Sequence, residues 1–317
     1  MKIVVMDGYA LNPGDISWEG FETLGEFILY EHTEKEEIIK RAKGADAILT
    51  NKTPITRELF VNCPTIKYVG VLATGYNVVD TAAAKERGVV VTNVPTYGTD
   101  AVAQYAVAMM LELCHHIGEH DRSVKAGDWQ RNRNFCYWNY PTIELSGKTL
   151  GIIGYGRIGQ KLAKIASALG MTIIAYDKYP DADKLCENAR FGTLEELLCQ
   201  SDFISLNCPL TQENKGIINR KTISLMKDGV YIINTARGPL VNEKDLSDAL
   251  KSGKVKGAAV DVLSEEPPAH GNVLIDAPNC IVTPHIAWAA KESRIRLMEI
   301  AVNNLKAFLD GKPINTV

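Results

Sequence analysis

Residues 150–177 read LGIIGYGRIGQKLAKIASALGMTIIAYD. The apolar run 150–153 predicts a strand, Gly154-Tyr155-Gly156-Arg157-Ile158-Gly159 a glycine turn, and Leu162, Ile165, Ala166 and Leu169 one face of a helix. Gly170 stops that helix, and residues 171–176 form the next strand. Gly154 permits the tight turn, Gly156 lets the backbone approach a pyrophosphate, and Gly159 lets the helix pack on the strand. The helix N-terminus then offers unpaired N–H groups and a positive dipole end to phosphates. Asp177, eighteen residues past Gly159, ends the second strand, where a carboxylate accepts hydrogen bonds from an adenosine ribose and repels a 2′-phosphate. Three glycines alone are weak evidence. Strand, turn, helix, strand and terminal acid in register predict a dinucleotide site, with NAD favoured over NADP.

Outward from this unit, 317 residues suffice for two domains with their own cores. At 46% hydrophobic and 23% charged, the composition is that of an ordinary soluble globular protein. A net charge of −3 without a long Lys/Arg run leaves no footprint for nucleic acid and favours small-molecule chemistry. The opening MKIVVMDGYA enters a strand and then an acid, unlike a signal peptide. The most apolar helix candidate, 101–114, is interrupted by Gln104 and Glu112, so no membrane span is expected. Seven scattered cysteines with no CxxC suit a reducing cytoplasm.

Before the glycine turn, residues 2–95 alternate short strands (IVVMD, FILYEH, DAILTN, YVGVLATG, VVVTNVP) with helices near 35–43, after Pro54 and over 81–87. Such alternation predicts a parallel sheet with helices on its faces. Residues 99–118 predict one long helix, apolar over most of its circumference, with Thr99 or Asp100 as N-cap. Residues 119–145 predict an irregular arm carrying Trp129, Phe135, Tyr137, Trp138 and Tyr140. Four more strands, at 203–207, 230–234, 257–260 and 280–283, make six with the first two, and a closing helix over 291–309 returns to the first domain.

Three segments fall at the ends of later strands, where ligands bind in open α/β folds: NTARG (234–238), DVLSEEP (261–267) and TPH (283–285). Together they bring a guanidinium, several carboxylates and an imidazole to one sheet edge. His116 and His120 flank Glu119 at helical spacing, but no third ligand motif accompanies them, so no metal is expected.

These segments, with LATGYNVVD (72–80), GIIGYGRIGQ (151–160) and TPHIAW (283–288), make the chain resemble the D-2-hydroxyacid dehydrogenase family over essentially its whole length. FCYWNYP (135–141) and Trp288 point to the hydroxypyruvate-reducing branch. The resemblance implies α/β architecture in two domains: an NAD-binding Rossmann domain, 99–289, inserted into a flavodoxin-like parallel substrate domain, 1–98 plus 290–317. It departs from many members at Ala103-Gln104-Tyr105, where they carry an acid and a histidine.

By the same resemblance the catalytic residues are Arg237, Glu266 and His285. His285 would protonate the carbonyl oxygen, Glu266 would support its charged form, and Arg237 would hold the substrate carboxylate. Glu266 is chosen over Glu265 because the family acid directly precedes proline. Thr74 and Gly75 would cradle the carboxylate by backbone N–H groups, with Leu72 and Ala73 shaping the pocket; Asn51, read from its place after the strand DAILT, would face the pocket if that strand ends there. Arg157 and Ile158 would contact the pyrophosphate, Pro209 would border the adenine, and Thr235, Ala236 and Asp261 would lie near the nicotinamide. The expected activity is reversible, NADH-dependent reduction of hydroxypyruvate to D-glycerate and of glyoxylate to glycolate, by a cytoplasmic homodimer. Its domain cleft would close on substrate, and the aromatic arm, Trp138 included, would reach the partner. Two alternatives stay open: the same chemistry on another 2-keto acid (phenylpyruvate, a branched 2-keto acid or phosphoglycerate), and a non-catalytic NAD(H)-sensing protein.

Overall fold

Short β-branched runs build the first sheet: β1 (Lys2–Val5), β2 (Glu26–Leu29), β3 (Ala47–Thr50), β4 (Tyr68–Val71) and β5 (Val90–Thr92). In this computed structural model, which describes residues 1–317, they pair in the order β2-β1-β3-β4-β5, every pair parallel. That order is the flavodoxin-like one. Every residue of β3 and β4 is buried, as a sheet covered on both faces requires. One face packs Val4, Ile48 and Val69 against Leu59 and Phe60 of the helix Arg57–Asn62. The helix Lys291–Leu309 covers β4 and sets Phe308 5.0 Å from Tyr68, ring centre to ring centre. Arg294 anchors it by a two-pronged pair with Asp15 at 2.6 and 2.7 Å.

The chain divides into two compact units, Met1–Gly98 with Ala289–Val317, and Thr99–Trp288. Ala289, placed with the second by the sequence reading, belongs to the first. No helix is long and apolar enough to cross a membrane.

The second unit carries β6 (Thr149–Ile153), β7 (Thr172–Tyr176), β8 (Ala189–Phe191), β9 (Phe203–Leu206), β10 (Val230–Asn234), β11 (Val255–Val260) and β12 (Cys280–Val282). Their order is β12-β11-β10-β9-β6-β7-β8, all parallel. There are seven strands rather than the expected six. The addition, β8, is a three-residue edge strand without a buried residue, so it leaves no apolar run to find. Side chains alternate across the sheet: Ile152, Ile173 and Ile233 enter one core, and Ile153, Ile174 and Ile232 the other. Each such burial stabilises the fold by about 1.5–3 kcal/mol. From β6 the chain runs outward through β7 and β8, then crosses back to β9 and leaves the other way. A crevice therefore opens where the ends of β6 and β9 part.

The long helix is shorter than the sequence reading, Thr99–His115, and starts at Thr99 itself. His116 takes a left-handed conformation (φ 48°), and a second helix, Ile117–Lys125, follows where an irregular arm was expected. That helix has no buried residue and holds Glu119–Arg122 and Asp121–Lys125 pairs along its surface. Its two large apolar residues, Ile117 and Val124, are exposed and too few to write a helical period.

Candidate active site

The glycine turn follows β6 at the crevice. Gly154 has φ 95°, and a side-chain carbon built on it would lie 2.6 Å from the Cys208 amide nitrogen, in the loop after β9. At Gly159 the same carbon would strike the Gly154 carbonyl, so both glycines are needed for the two loops and the helix to meet. Gly156 differs: its φ is an ordinary −71°, and nothing in the protein lies within 4 Å of that carbon. Its missing side chain leaves open space over the N-terminus of the helix Arg157–Ala168, which Gly156 caps beside exposed Arg157 and half-buried Ile158. Open space above unpaired N–H groups fits a pyrophosphate.

Gly154→Ala is therefore expected to cost about 2–5 kcal/mol of stability, from left-handed strain plus a backbone clash. Gly156→Ala should leave the Tm nearly unchanged and still weaken NADH. A thermal melt paired with an NADH fluorescence titration separates the two, and equal Tm losses would refute the distinction.

Asp177, at the end of β7, accepts hydrogen bonds from the amides of Tyr155 (2.7 Å) and Tyr179 (2.9 Å), one on each oxygen. Its half-buried carboxylate is thus fixed beside the glycine turn with lone pairs left for a ligand. Pro209 is exposed in the loop after β9, its carbonyl held by Asn214 Nδ2 at 2.8 Å. Two buried oxygens at the strand ends have no partner: Asn207 Oδ1 after β9 and Thr235 Oγ1 after β10. Unsatisfied buried groups are rare enough to need a reason, and a ligand donor at this edge supplies one. Thr235 was anticipated; Asn207 was not, although its place directly after ISL mirrors that of Asn234 after YII.

Buried Asn234 shapes the turn that follows β10. Its Nδ2 donates to the Arg237 carbonyl (2.9 Å) and its Oδ1 accepts from the Ala236 amide (3.0 Å). Gly238 lets this turn lie directly against the Leu263 backbone, next to the turn that bears Glu266. Arg237 is exposed, donates through Nη1 to the Ala236 carbonyl at 2.7 Å and makes no ion pair. Its guanidinium is not neutralised by a carboxylate of the protein.

Glu266 pairs with His285 instead: Oε2 stands 2.7 Å from His285 Nδ1, while Oε1 accepts from the Leu263 amide at 2.9 Å. Neighbouring Glu265 faces His270 at 3.2 Å. His285 sits in a left-handed conformation (φ 55°), a strain of about 1–3 kcal/mol that the surroundings must hold in place. Asp261 holds it. Its backbone carbonyl accepts from the His285 amide (2.8 Å), and its carboxylate accepts from Thr283 Oγ1 (2.6 Å), Ile286 N (2.9 Å) and Ala287 N (2.8 Å). Burial pushes the Asp261 carboxyl up, against these hydrogen bonds and the nearby His285. Asp261 thus has a positioning task in addition to any cofactor contact. Trp288 Nε1 closes the turn on the His285 carbonyl at 2.8 Å.

In the first unit, Asp7 gathers the amides of Asn51 (2.8 Å), Lys52 (2.5 Å) and Thr53 (2.7 Å). Asn51 does not face open space as expected: it is buried, and its Nδ2 donates to the Leu72 carbonyl at 2.8 Å. A side chain at a strand end also meets the next strand's loop, and that partner decided its direction. Asn51 shapes the turn in which Leu72 is buried, Ala73 and Gly75 half-buried and Thr74 exposed. Thr74 Oγ1 donates to the Val94 carbonyl at 2.9 Å. In the second unit, His116 stacks on Tyr140 at 4.6 Å, and His120 Nε2 accepts from the Asn139 amide at 3.1 Å.

A parallel sheet with a glycine turn at its switch point and a histidine–carboxylate pair in the loops after β11 and β12 defines an NAD-binding oxidoreductase unit. Residues 107–287 match the model of the "D-isomer specific 2-hydroxyacid dehydrogenase, NAD binding domain". The chain belongs to the D-isomer specific 2-hydroxyacid dehydrogenase family. It is 58% identical to the hydroxypyruvate reductase of Blautia hydrogenotrophica, covering 100% of this chain and 99% of that one. It is 43% identical to the glycerate dehydrogenase of Methylorubrum extorquens, over 100% and 98%. Among solved structures, the TT0316 protein from Thermus thermophilus superposes with a TM-score of 0.88 at 33% identity, covering both chains fully.

Proposed function

We propose that the protein reduces hydroxypyruvate to D-glycerate, and glyoxylate to glycolate, with NADH, and runs the reverse reaction with NAD. The 2.7 Å His285–Glu266 pair carries the chemistry; the 58% full-length likeness to a hydroxypyruvate reductase supports the choice of acid. Gly154, Gly156, Arg157, Ile158 and Gly159 hold the pyrophosphate, Asp177 the ribose, Pro209 the adenine edge, and Thr235, Ala236 and Asp261 the nicotinamide end. Bound NADH supplies the hydride.

The protein's own residues do the rest. Arg237 grips the substrate carboxylate with two parallel N–H donors and draws electron density from the neighbouring carbonyl. With Nδ1 committed to Glu266, His285 gives the proton on Nε2 to the carbonyl oxygen as it becomes an alkoxide. Glu266 stabilises the imidazolium and fixes which nitrogen acts. In the other direction His285 Nε2 takes the hydroxyl proton. In the first unit, buried Asn51 shapes the turn 72–75, whose Thr74 and Gly75 carry backbone N–H groups of the kind that receive a carboxylate.

We further propose that the chain works in the cytoplasm as a homodimer. Phe135 and Trp138, 93% and 68% exposed, are costly to leave in water, and a second copy would cover them.

The test follows NADH oxidation by near-ultraviolet absorbance with hydroxypyruvate, glyoxylate, pyruvate, phenylpyruvate and phosphohydroxypyruvate in parallel. The expected result is the highest kcat/KM with hydroxypyruvate, with glyoxylate second. A higher value for phenylpyruvate or the phosphorylated acid would overturn the substrate assignment.

A further inference from the structure

Asp177 is followed directly by Lys178. The two residues pull cofactor choice in opposite directions. A carboxylate at this strand end repels a 2′-phosphate, whereas a cation beside it accommodates one. In the structure Lys178 does not stand alone: its Nζ lies 2.9 Å from Glu213 Oε2. Glu213 belongs to the loop after β9 and Lys178 to the loop after β7. Because β6 lies between those strands, the pair spans the loops that flank the glycine turn. Pairing lowers the Glu213 carboxyl and raises the Lys178 ammonium, so both stay charged at neutral pH. The other nearby lysine, Lys184, whose ammonium feels the Asp177 charge, is likewise paired, with Asp181 at 2.7 Å. Asp177 cannot swing aside, since each of its oxygens holds a backbone amide.

We propose that Glu213 is a second determinant of cofactor choice, acting by neutralising Lys178 so that the cation beside Asp177 cannot receive the 2′-phosphate of NADPH. The proposal rests on the reading that the adenosine ribose lies at the end of β7. This chain then discriminates through two devices, repulsion by Asp177 and withdrawal of Lys178.

The experiment measures kcat/KM for hydroxypyruvate reduction with saturating acid and varied NADH or NADPH. Glu213→Gln keeps the side chain's shape and removes its charge. It is expected to raise kcat/KM for NADPH about threefold to tenfold and to leave NADH within about twofold. Adding Lys178→Met should abolish the gain, and raising the salt from 0.05 to 0.5 M, both rough choices, should shrink it, because exposed charges are screened. No gain in Glu213→Gln, or a gain that survives Lys178→Met, would overturn the proposal. Asp177→Ala, run alongside, separates the two readings. If it shifts the NADH to NADPH ratio while Glu213→Gln does not, the adenosine placement stands and the role of Glu213 falls. If neither moves the ratio, both fall.

Discussion

Replacing His285 by alanine is expected to lower kcat for hydroxypyruvate reduction by about 10²–10⁴-fold while NADH still binds. The magnitude is what a positioned general acid contributes, and the geometry makes His285 that group: Glu266 takes Nδ1 at 2.7 Å and leaves Nε2 for substrate. The turn bearing it hangs on Asp261 rather than on the imidazole, so removal of the ring leaves the strand-end loops in place. Glu266→Gln preserves the shape but not the charge, and it loses part of the same activity. The double variant His285→Ala/Glu266→Gln should be scarcely worse than His285→Ala, because residues acting as one unit are not additive. Steady-state kinetics with a parallel NADH titration decides the matter. A loss below tenfold for His285→Ala, with NADH affinity intact, would remove it from the proton transfer.

Arg237→Ala should cost about 2–5 kcal/mol in transition-state binding, roughly a 30- to several-thousand-fold fall in kcat/KM. The exposed guanidinium makes no ion pair, so its charge is available to a ligand. Arg237→Lys should recover little, since an ammonium is a single point of charge and cannot form two parallel bonds to a carboxylate. The decisive readout is discrimination. Dihydroxyacetone replaces the carboxylate of hydroxypyruvate with a hydroxymethyl group, and the preference for the acid should collapse in Arg237→Ala. Equal loss on both compounds would mean that Arg237 supports the turn 234–238 and does not bind the carboxylate.

Much of this architecture is written along the chain. Alternating apolar strands and helices in residues 2–95 predicted a parallel sheet of five strands, and five form. The stretch 150–177 stated strand, turn, helix and strand in order, because each depends on neighbours a few residues apart. Gly154 is legible for the same reason: it turns the chain where it stands. β8 and the helix Ile117–Lys125 escaped detection because neither buries a residue, and an element without an apolar side writes no period.

Partners distant in sequence were decided elsewhere. Glu266, chosen over Glu265 for its place before proline, reaches His285 where the 261–267 turn lies against Gly238, while Glu265 turns to His270. Asn51 turns inward because the Leu72 carbonyl on the next strand's loop comes within reach. Asn207 stands out through an oxygen without a partner, and only a buried position makes that a debt. Lys178 and Glu213 are 35 residues apart and meet because β7 and β9 flank β6. The sequence by itself determined the two parallel sheets apart from the edge strand β8, the glycine turn and the residue types offered to the site. Tertiary structure decided the pairings that no motif announced, such as Asn51 with Leu72 and Lys178 with Glu213, because hydrogen bonds and ion pairs act over about 3 Å and only strand order brings distant residues that close.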